Sequence, residues 1–260
     1  MKYFCGIDTG GTFTDCTVID ESGNIIIAKC PSTPDDYSVG LFNALEACAG
    51  KIGIDPDALM QNMEHLFLGT TVGTNALIQM KGAKTGMLTT RGHKDSLFIM
   101  KSAGRSVGLP IEKLLHVSRH QKPDPIIPRK LVLEVSERVD WKGEVYLPLN
   151  EAEAEQAIRL LVEQGVEAIA ISLLWSIVNP RHELALKQMV GEIAPGMFVS
   201  CSHELISKRG EYERAVGTAI NCFIGPTMKK YVEKIEQNSA ELGYKKPILV
   251  LQANGGVVPS

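Results

Sequence analysis

Gly6-Ile7-Asp8-Thr9-Gly10-Gly11-Thr12-Phe13-Thr14-Asp15 is the stretch on which the reading of this chain turns. It follows an apolar run, Tyr3 to Asp8, and leads into Cys16 to Asp20, where alternating residues again predict a strand. The loop between these strands holds two glycines and three threonines, with an aspartate at either end. Such parts suit a phosphate chain. Glycines let backbone N–H groups approach the oxygens, hydroxyls donate further hydrogen bonds, and carboxylates hold Mg²⁺ through water. A plain Gly-Gly hairpin turn is the competing reading, but it needs neither the hydroxyls nor the acids. The stretch is not a Walker A loop, because no Gly-Lys-Ser/Thr ending is present. Nor is it a dinucleotide fingerprint, because strand-type alternation rather than a helix follows.

Working outward, residues 24–30 predict a third strand after a Glu21-Ser22-Gly23 turn. Leu41, Ala44, Leu45 and Cys48 then line one face of a helix ending near Gly50. A short strand at 65–68 runs into Gly69-Thr70-Thr71-Val72-Gly73-Thr74-Asn75, whose second half is expected to be helical. This second polar cluster lies where open α/β sheets place ligands, so Thr70, Thr71 and Asn75 join the candidates. A helix start capped by threonine explains the same residues. Residues 84–89 read as another strand, followed by Arg91 and His93, candidates for the same crevice. Residues 104–128 lose all periodicity; Arg105 within them is read as a loop arginine.

The rest continues the α/β pattern. Residues 130–148 alternate as a hairpin. Asn150 caps a helix, with Glu153 at the reciprocal capping position. The apolar run 166–175 has the look of a strand covered on both faces, and Asn179-Pro180 opens another helix. Residues 197–201 form a strand. Residues 211–242 are helical, with a kink or break expected at Gly225-Pro226 and an ion pair between Glu211 and Arg214 one turn apart. A last strand at 247–251 ends in Gln252-Ala253-Asn254-Gly255-Gly256, a turn able to approach a nucleotide through Asn254, Gly255 and Gly256.

Composition excludes several classes. The 260 residues are 44% hydrophobic and 22% charged, with a formal charge of −3, ordinary values that rule out disorder and coiled coil. No dense basic run offers nucleic acid a footing, and no apolar stretch is long enough to span a bilayer. The start reaches glycine and aspartate too soon for a signal peptide, so a cytoplasmic location is expected. The six cysteines form no C-x-x-C pair and read as buried thiols. His116 and His120, four apart, lack a third ligand, so zinc is not expected.

The motif D-T-G-G-T-F-T-D resembles the first phosphate loop of the actin, Hsp70 and sugar-kinase superfamily. More narrowly, the chain resembles the hydantoinase A, 5-oxoprolinase and acetone/acetophenone carboxylase family. Six further segments carry this likeness: GTTVGTNAL (69–77), KGAKTGMLTTRGHKD (81–95), LVLEVSERVDWKGEV (131–145), SLLWSIVNPRHE (172–183), EYERAVGTAINCFIGP (211–226) and LQANGG (251–256). The resemblance implies an α/β fold, a ribonuclease H-like ATPase lobe with a mixed sheet and flanking helices. It implies ATP and Mg²⁺, used to phosphorylate a carbonyl oxygen and so activate a cyclic amide for hydrolysis or a ketone for carboxylation. Asp8 would hold the metal through water; Gly10, Gly11, Thr12 and Thr14 would cradle phosphate; Asp15 would complete the metal shell or brace the loop. A second subunit of the hydantoinase B or carboxylase kind is the implied partner. Relatives place a second phosphate loop further on, so the expected organisation is a first lobe over 1–200 and the start of an incomplete second lobe over 201–260. Such a piece alone is expected to bind nucleotide weakly and turn over little. The alternatives are a nucleotide-binding or scaffolding subunit without catalysis, and a sugar or acetate kinase.

Overall fold

A computed structural model of the protein describes residues 1–102, 106, 108–116, 118, 120 and 122–260. Contacts divide the chain into two compact units, Met1–Lys81 with Thr227–Ser260, and Gly82–Pro226. This division runs across the boundary expected near residue 200 rather than along it.

The first unit opens with β1 (Tyr3–Thr9), β2 (Phe13–Asp20) and β3 (Ile25–Pro31), an antiparallel meander. Strict alternation sends Tyr3, Cys5, Ile7 and Thr9 inward from β1, and Thr14, Cys16, Val18 and Asp20 inward from β2. Asp20 fixes the second turn by accepting from the Ser22 and Asn24 amides at 2.8 and 2.9 Å. Helix α1 (Tyr37–Ile52) begins a turn earlier than its apolar spacing suggests, because the Asp36 carboxylate caps the Ser38 amide. It ends at Gly53, whose φ of 81° only glycine adopts freely. The short α2 (Pro56–Gln61) buries Leu59 and Met60 and was not apparent from periodicity. Next, β4 (Met63–Thr70) lies parallel to β1, followed by α3 (Val72–Ile78).

The second unit contains β5 (Thr85–Thr90), α4 (Ser96–Ile99), α5 (Ile111–Leu114) and β6 (Val132–Val135). These are followed by β7 (Arg138–Val139), β8 (Val145–Leu147), α6 (Glu151–Glu163) and β9 (Ala168–Ser172). The unit is completed by α7 (Arg181–Ile193), β10 (Phe198–Cys201), α8 (Ser202–Leu205) and the start of α9 (Glu211–Glu241). Its main sheet has the order β10-β9-β5-β6, every neighbouring pair parallel.

The hairpin expected over 130–148 is therefore corrected. Val132–Val135 joins the parallel sheet, and only Arg138–Val139 pairs with Val145–Leu147. The strand run is interrupted by Ser136-Glu137, where the buried Glu137 carboxylate takes hydrogen bonds from Thr90 and His182. Asn150 does cap α6, accepting from the Glu153 amide, but Glu153 turns its own carboxylate to the Ser136 amide and Arg91 instead of reciprocating.

Helix α9 continues through Pro226, so of the expected kink or break the break does not occur. The amide that proline lacks coincides with the boundary between the units. After it, β11 (Leu249–Leu251) adds parallel to β4, and β12 (Val257–Pro259) pairs back on β11. The first unit's sheet thus has the order β12-β11-β4-β1-β2-β3. Its core packs Cys5, Ile7 and Val18 against Leu41 and Leu45 of α1 and Tyr231 and Ile235 of α9. A separate core in the second unit centres on Leu88, Ile169, Ile158 and Leu186. Among the described residues no helix is long and apolar enough to cross a membrane.

Candidate functional site

Strands β1, β4 and β11 run parallel as neighbours, so their carboxyl ends emerge at one edge of the first unit's sheet. That edge gathers the loop at 10–12, the cluster at 69–75 and the turn at 252–256. Three predicted segments, far apart in sequence, share one rim.

The loop is short and held from one side. Asp8 lies opposite Asp15, and Thr9 opposite Thr14. The Gly10 amide donates to the Phe13 carbonyl at 3.0 Å. Ser32 holds the carbonyl side, its hydroxyl donating to Gly10 O at 2.8 Å and its amide to Thr12 O at 2.9 Å. The amides of Gly11 and Thr12 have no partner among the described residues, nor has the exposed Thr12 hydroxyl. Gly10 is sterically required, because a Cβ there would stand 2.9 Å from the backbone Phe13 O, whereas a Cβ on Gly11 would meet only the Asn75 side chain, 2.8 Å from its Nδ2.

The two aspartates differ. Asp8 is exposed and makes no hydrogen bond or ion pair among the described residues. It sits beside Gly69, where an added Cβ would come 3.5 Å from Asp8 Oδ1. Asp15 is ion-paired with Lys29 at 3.0 Å, and Lys29 lies over the Phe13 ring. Thr14 corrects an expectation. Its side chain is fully buried and shares a hydrogen bond with Ser32 Oγ at 3.0 Å, so it braces the loop and does not present its hydroxyl to a phosphate.

Thr70, Thr71 and Asn75 do meet the loop. The Thr71 amide donates to Thr9 O at 3.1 Å, and the Asn75 side-chain amide donates to Thr71 Oγ1 at 3.3 Å. Thr70 Oγ1 accepts from the Val72 amide at 3.1 Å, but the N-cap of α3 is Thr71, whose side chain makes no capping bond. Asn254 closes its own turn by accepting from the Gly256 amide at 2.8 Å, and Gly255 occupies a φ of 84°. Two contributors escaped the sequence reading. Ser32 was foreseeable from hairpin register, because Pro31 pairs with Phe13. Tyr231, whose hydroxyl donates to Thr9 Oγ1 at 2.8 Å, comes from a helix more than two hundred residues later; burial pushes its phenol up to about 12.

Arg91, His93 and Arg214 belong to the second unit. Arg91 pairs with Glu153, and the His93 ring lines a crevice of the second unit. Arg105 is outside the described residues. Arg214 does not form the expected solvated pair with Glu211: it is buried, and its guanidinium donates to Leu173 O at 2.7 Å and Ser202 Oγ at 3.4 Å. Nearby, Glu183, Cys201 and His203 bring ligand-type atoms within 4.8 Å of one another. Glu183 is already saturated, accepting from the Leu173 amide, Ser202 Oγ, the His203 amide and the His203 ring at 2.6–3.0 Å. Burial pushes this carboxyl up, but those donors outweigh it and hold the group below the ordinary range. The cluster is a structural brace. The six cysteines are free thiols, five of them buried.

A mixed sheet of this order, with a glycine–threonine hairpin between its first two strands, defines an actin-like ATPase fold. The match to known proteins narrows this. Residues 4–194 match the hydantoinase/oxoprolinase N-terminal region, and the chain belongs to that family. It is 35% identical over 255 residues to the acetophenone carboxylase gamma subunit of Aromatoleum aromaticum, covering 96% of this chain and 35% of that one. To the caprolactamase subunit alpha of Pseudomonas jessenii it is 36% identical over 259 residues, covering 100% and 36%. A nucleotide-free acetone carboxylase structure, described as an ATP-dependent system, superposes with a TM-score of 0.89 at 28% identity, covering 98% and 37%. The chain therefore spans about a third of the length of these relatives.

Proposed function

We propose that this chain is the nucleotide-binding portion of an ATP-dependent enzyme that phosphorylates a carbonyl oxygen, activating a cyclic amide for hydrolysis or a ketone for carboxylation. The observation that carries the reading is the loop at 10–12, whose Gly11 and Thr12 amides, like the exposed Asp8 beside them, have no partner among the described residues. These residues fit a triphosphate and a divalent cation. The carbonyls of Gly10 and Thr12 are engaged by Ser32, the glycines leave no side chain in the way, and Asp8 has no ion-pair partner among the described residues. Gly11 and Thr12 would receive phosphate oxygens, and Asp8 would hold Mg²⁺ through water. Asn75, packed on Gly11, would fix the loop's open face. Bound Mg²⁺ supplies charge neutralisation, which phosphoryl transfer needs more than covalent help. Asp15 and Thr14 act by bracing, one against Lys29 and the other against Ser32. Asn254, Gly255 and Gly256 share the edge and offer a further wall for the nucleotide.

The names of the relatives, a gamma subunit and a subunit alpha, support a partner subunit of a second type. The test is Asp8→Ala in the complete protein with that partner. ATP consumption should fall at least a hundredfold while thermal stability stays unchanged, and turnover like the wild type would remove Asp8 from the reaction.

A further inference from the structure

The chain has nine asparagines, and Asn254 is the only one followed by glycine; every other precedes a residue that carries a Cβ. The pair Asn254-Gly255 sits in the turn that joins β11 to β12, where both residues are exposed. Gly255 takes a φ of 84° and stands in open space, for even an added Cβ would meet no atom within 4 Å. Nothing therefore shields its backbone nitrogen from the neighbouring asparagine side chain.

The hydrogen bonds of the turn bear on that nitrogen's reactivity in two ways. The Gly256 amide donates to Asn254 Oδ1 at 2.8 Å. When a nucleophile adds to the side-chain carbonyl carbon, negative charge gathers on this same oxygen, and a donor already in place stabilises it. The Gly255 amide, by contrast, donates to Gln252 O at 2.9 Å, a bond that must open before the nitrogen can attack. Beyond it, the turn is closed by the Gln252 amide on Gly256 O at 2.8 Å, and β12 pairs with β11 over three residues only. Opening is a local event at the edge of the sheet and leaves the core in place.

We propose that Asn254 is a self-modification site, at which the chain converts its own side-chain amide into a carboxylate on the candidate rim. The Gly255 nitrogen loses its proton to hydroxide and bonds to Asn254 Cγ. The tetrahedral adduct expels the side-chain nitrogen as ammonia and leaves a five-membered succinimide. Water then adds to one of the two ring carbonyls and breaks its bond to nitrogen. Opening at the side-chain carbonyl gives aspartate; opening at the main-chain carbonyl gives isoaspartate, with the backbone routed through the former side chain. In sum, an amide and water become a carboxylate and ammonium, with nothing oxidised or reduced. Isoaspartate also lengthens the backbone by one carbon within the turn. The consequence for nucleotide rests on the triphosphate reading of this rim proposed above: a carboxylate there repels the phosphates, where the neutral amide did not.

The test warms the full protein at mildly alkaline pH, with and without MgATP, and follows it by peptide mass spectrometry and isoaspartate methyltransferase labelling. Asn254 should convert first among the nine asparagines, faster as pH rises, and isoaspartate should appear together with aspartate. MgATP should slow the conversion by holding the turn closed. The Asn254→Asp protein should bind MgATP about three- to tenfold more weakly than the wild type, and aged wild type should lose affinity in step with its conversion. Conversion at Asn254 no sooner than at Asn43 within α1 or at Asn24 before β3 would overturn the proposal, as would aspartate formed without isoaspartate. Mass spectrometry reads the reaction on unaltered protein, so a variant that fails to fold does not remove the test. If Asn254 converts while aged protein binds MgATP like fresh protein, the modification stands and the placing of this turn beside the nucleotide falls. If fresh protein binds no MgATP, the nucleotide reading fails, and the conversion is still decided by mass.

Discussion

Replacing Gly10 and Gly11 one at a time by alanine should separate folding from binding within a single loop. At Gly10 the new methyl carbon would stand 2.9 Å from Phe13 O, a backbone atom fixed by the β1–β2 ladder and by the Gly10 amide itself. Relief requires opening the turn. Overpacking of this kind costs about 1–3 kcal/mol and the lost hydrogen bond about 1 more, a total near 2–4 kcal/mol. For a chain of this size that lowers Tm by roughly 4–16 °C. At Gly11 the clash is with Asn75 Nδ2 at 2.8 Å, the free end of an exposed side chain whose bond to Thr71 is 3.3 Å long. Asn75 can rotate away, so stability should fall by less than about 1 kcal/mol. The methyl then stands on the face where the Gly11 and Thr12 amides are open. Losing one hydrogen bond to a charged phosphate, worth about 1.5–3 kcal/mol, weakens MgATP binding roughly 10- to 150-fold. Differential scanning calorimetry and titration calorimetry on both variants read the two quantities. A Gly11→Ala protein that binds MgATP like the wild type, or melts below Gly10→Ala, would refute the reasoning.

Glu183→Gln replaces a buried carboxylate held by four donors with an amide that must point N–H groups at some of them; urea denaturation should show a loss of about 3–5 kcal/mol. Because the folded carboxyl lies below its ordinary 4.5, its stabilising share is complete above that pH and is lost as pH falls through the folded value. Acid unfolding of the wild type should accordingly steepen below about pH 4.5, and the variant's profile should be flatter there. Tyr231→Phe leaves Thr9 Oγ1 buried without its donor and should cost about 1–3 kcal/mol by chemical denaturation, with no new cavity. Burial pushes the thiols of Cys201 and Cys222 up to about 12; native protein treated with iodoacetamide at mild alkaline pH should be modified at the half-exposed Cys30 first, and at those two only on unfolding, as peptide mass spectrometry would show.

Local pattern carried much of the architecture. Alternation in β1 and β2, the Asn150 cap and the glycine–threonine loop are all determined by residues within a few positions of one another, and the structure keeps them. What escaped depended on distant partners. Residues 132–135 look like half of a hairpin until β5 is present to pair with them, and nothing local announces that Glu137 is buried under Thr90 and His182. Thr14 reads like Thr12, yet pleat direction turns one hydroxyl into the core and leaves the other outside. Arg214 looked like a surface partner for Glu211 because helical spacing says nothing of the Leu173 carbonyl waiting beneath it. Pro226 was expected to kink or break the helix; it does not break it, because the packing of α9 on both sides of it outweighs one missing amide.

Strands β4 and β11 touch, but the whole of Gly82–Pro226 is threaded between them in sequence. On the ribosome this imposes an order of events. The interior unit has its described strands in hand before Leu249 is made, whereas the flanking unit must hold its meander ready until β11 arrives. Closing so long a loop from an unfolded state is entropically costly, and a ready-folded interior shortens the search. The amino-terminal part of the candidate rim is thus translated well before the β11 end that lies beside it.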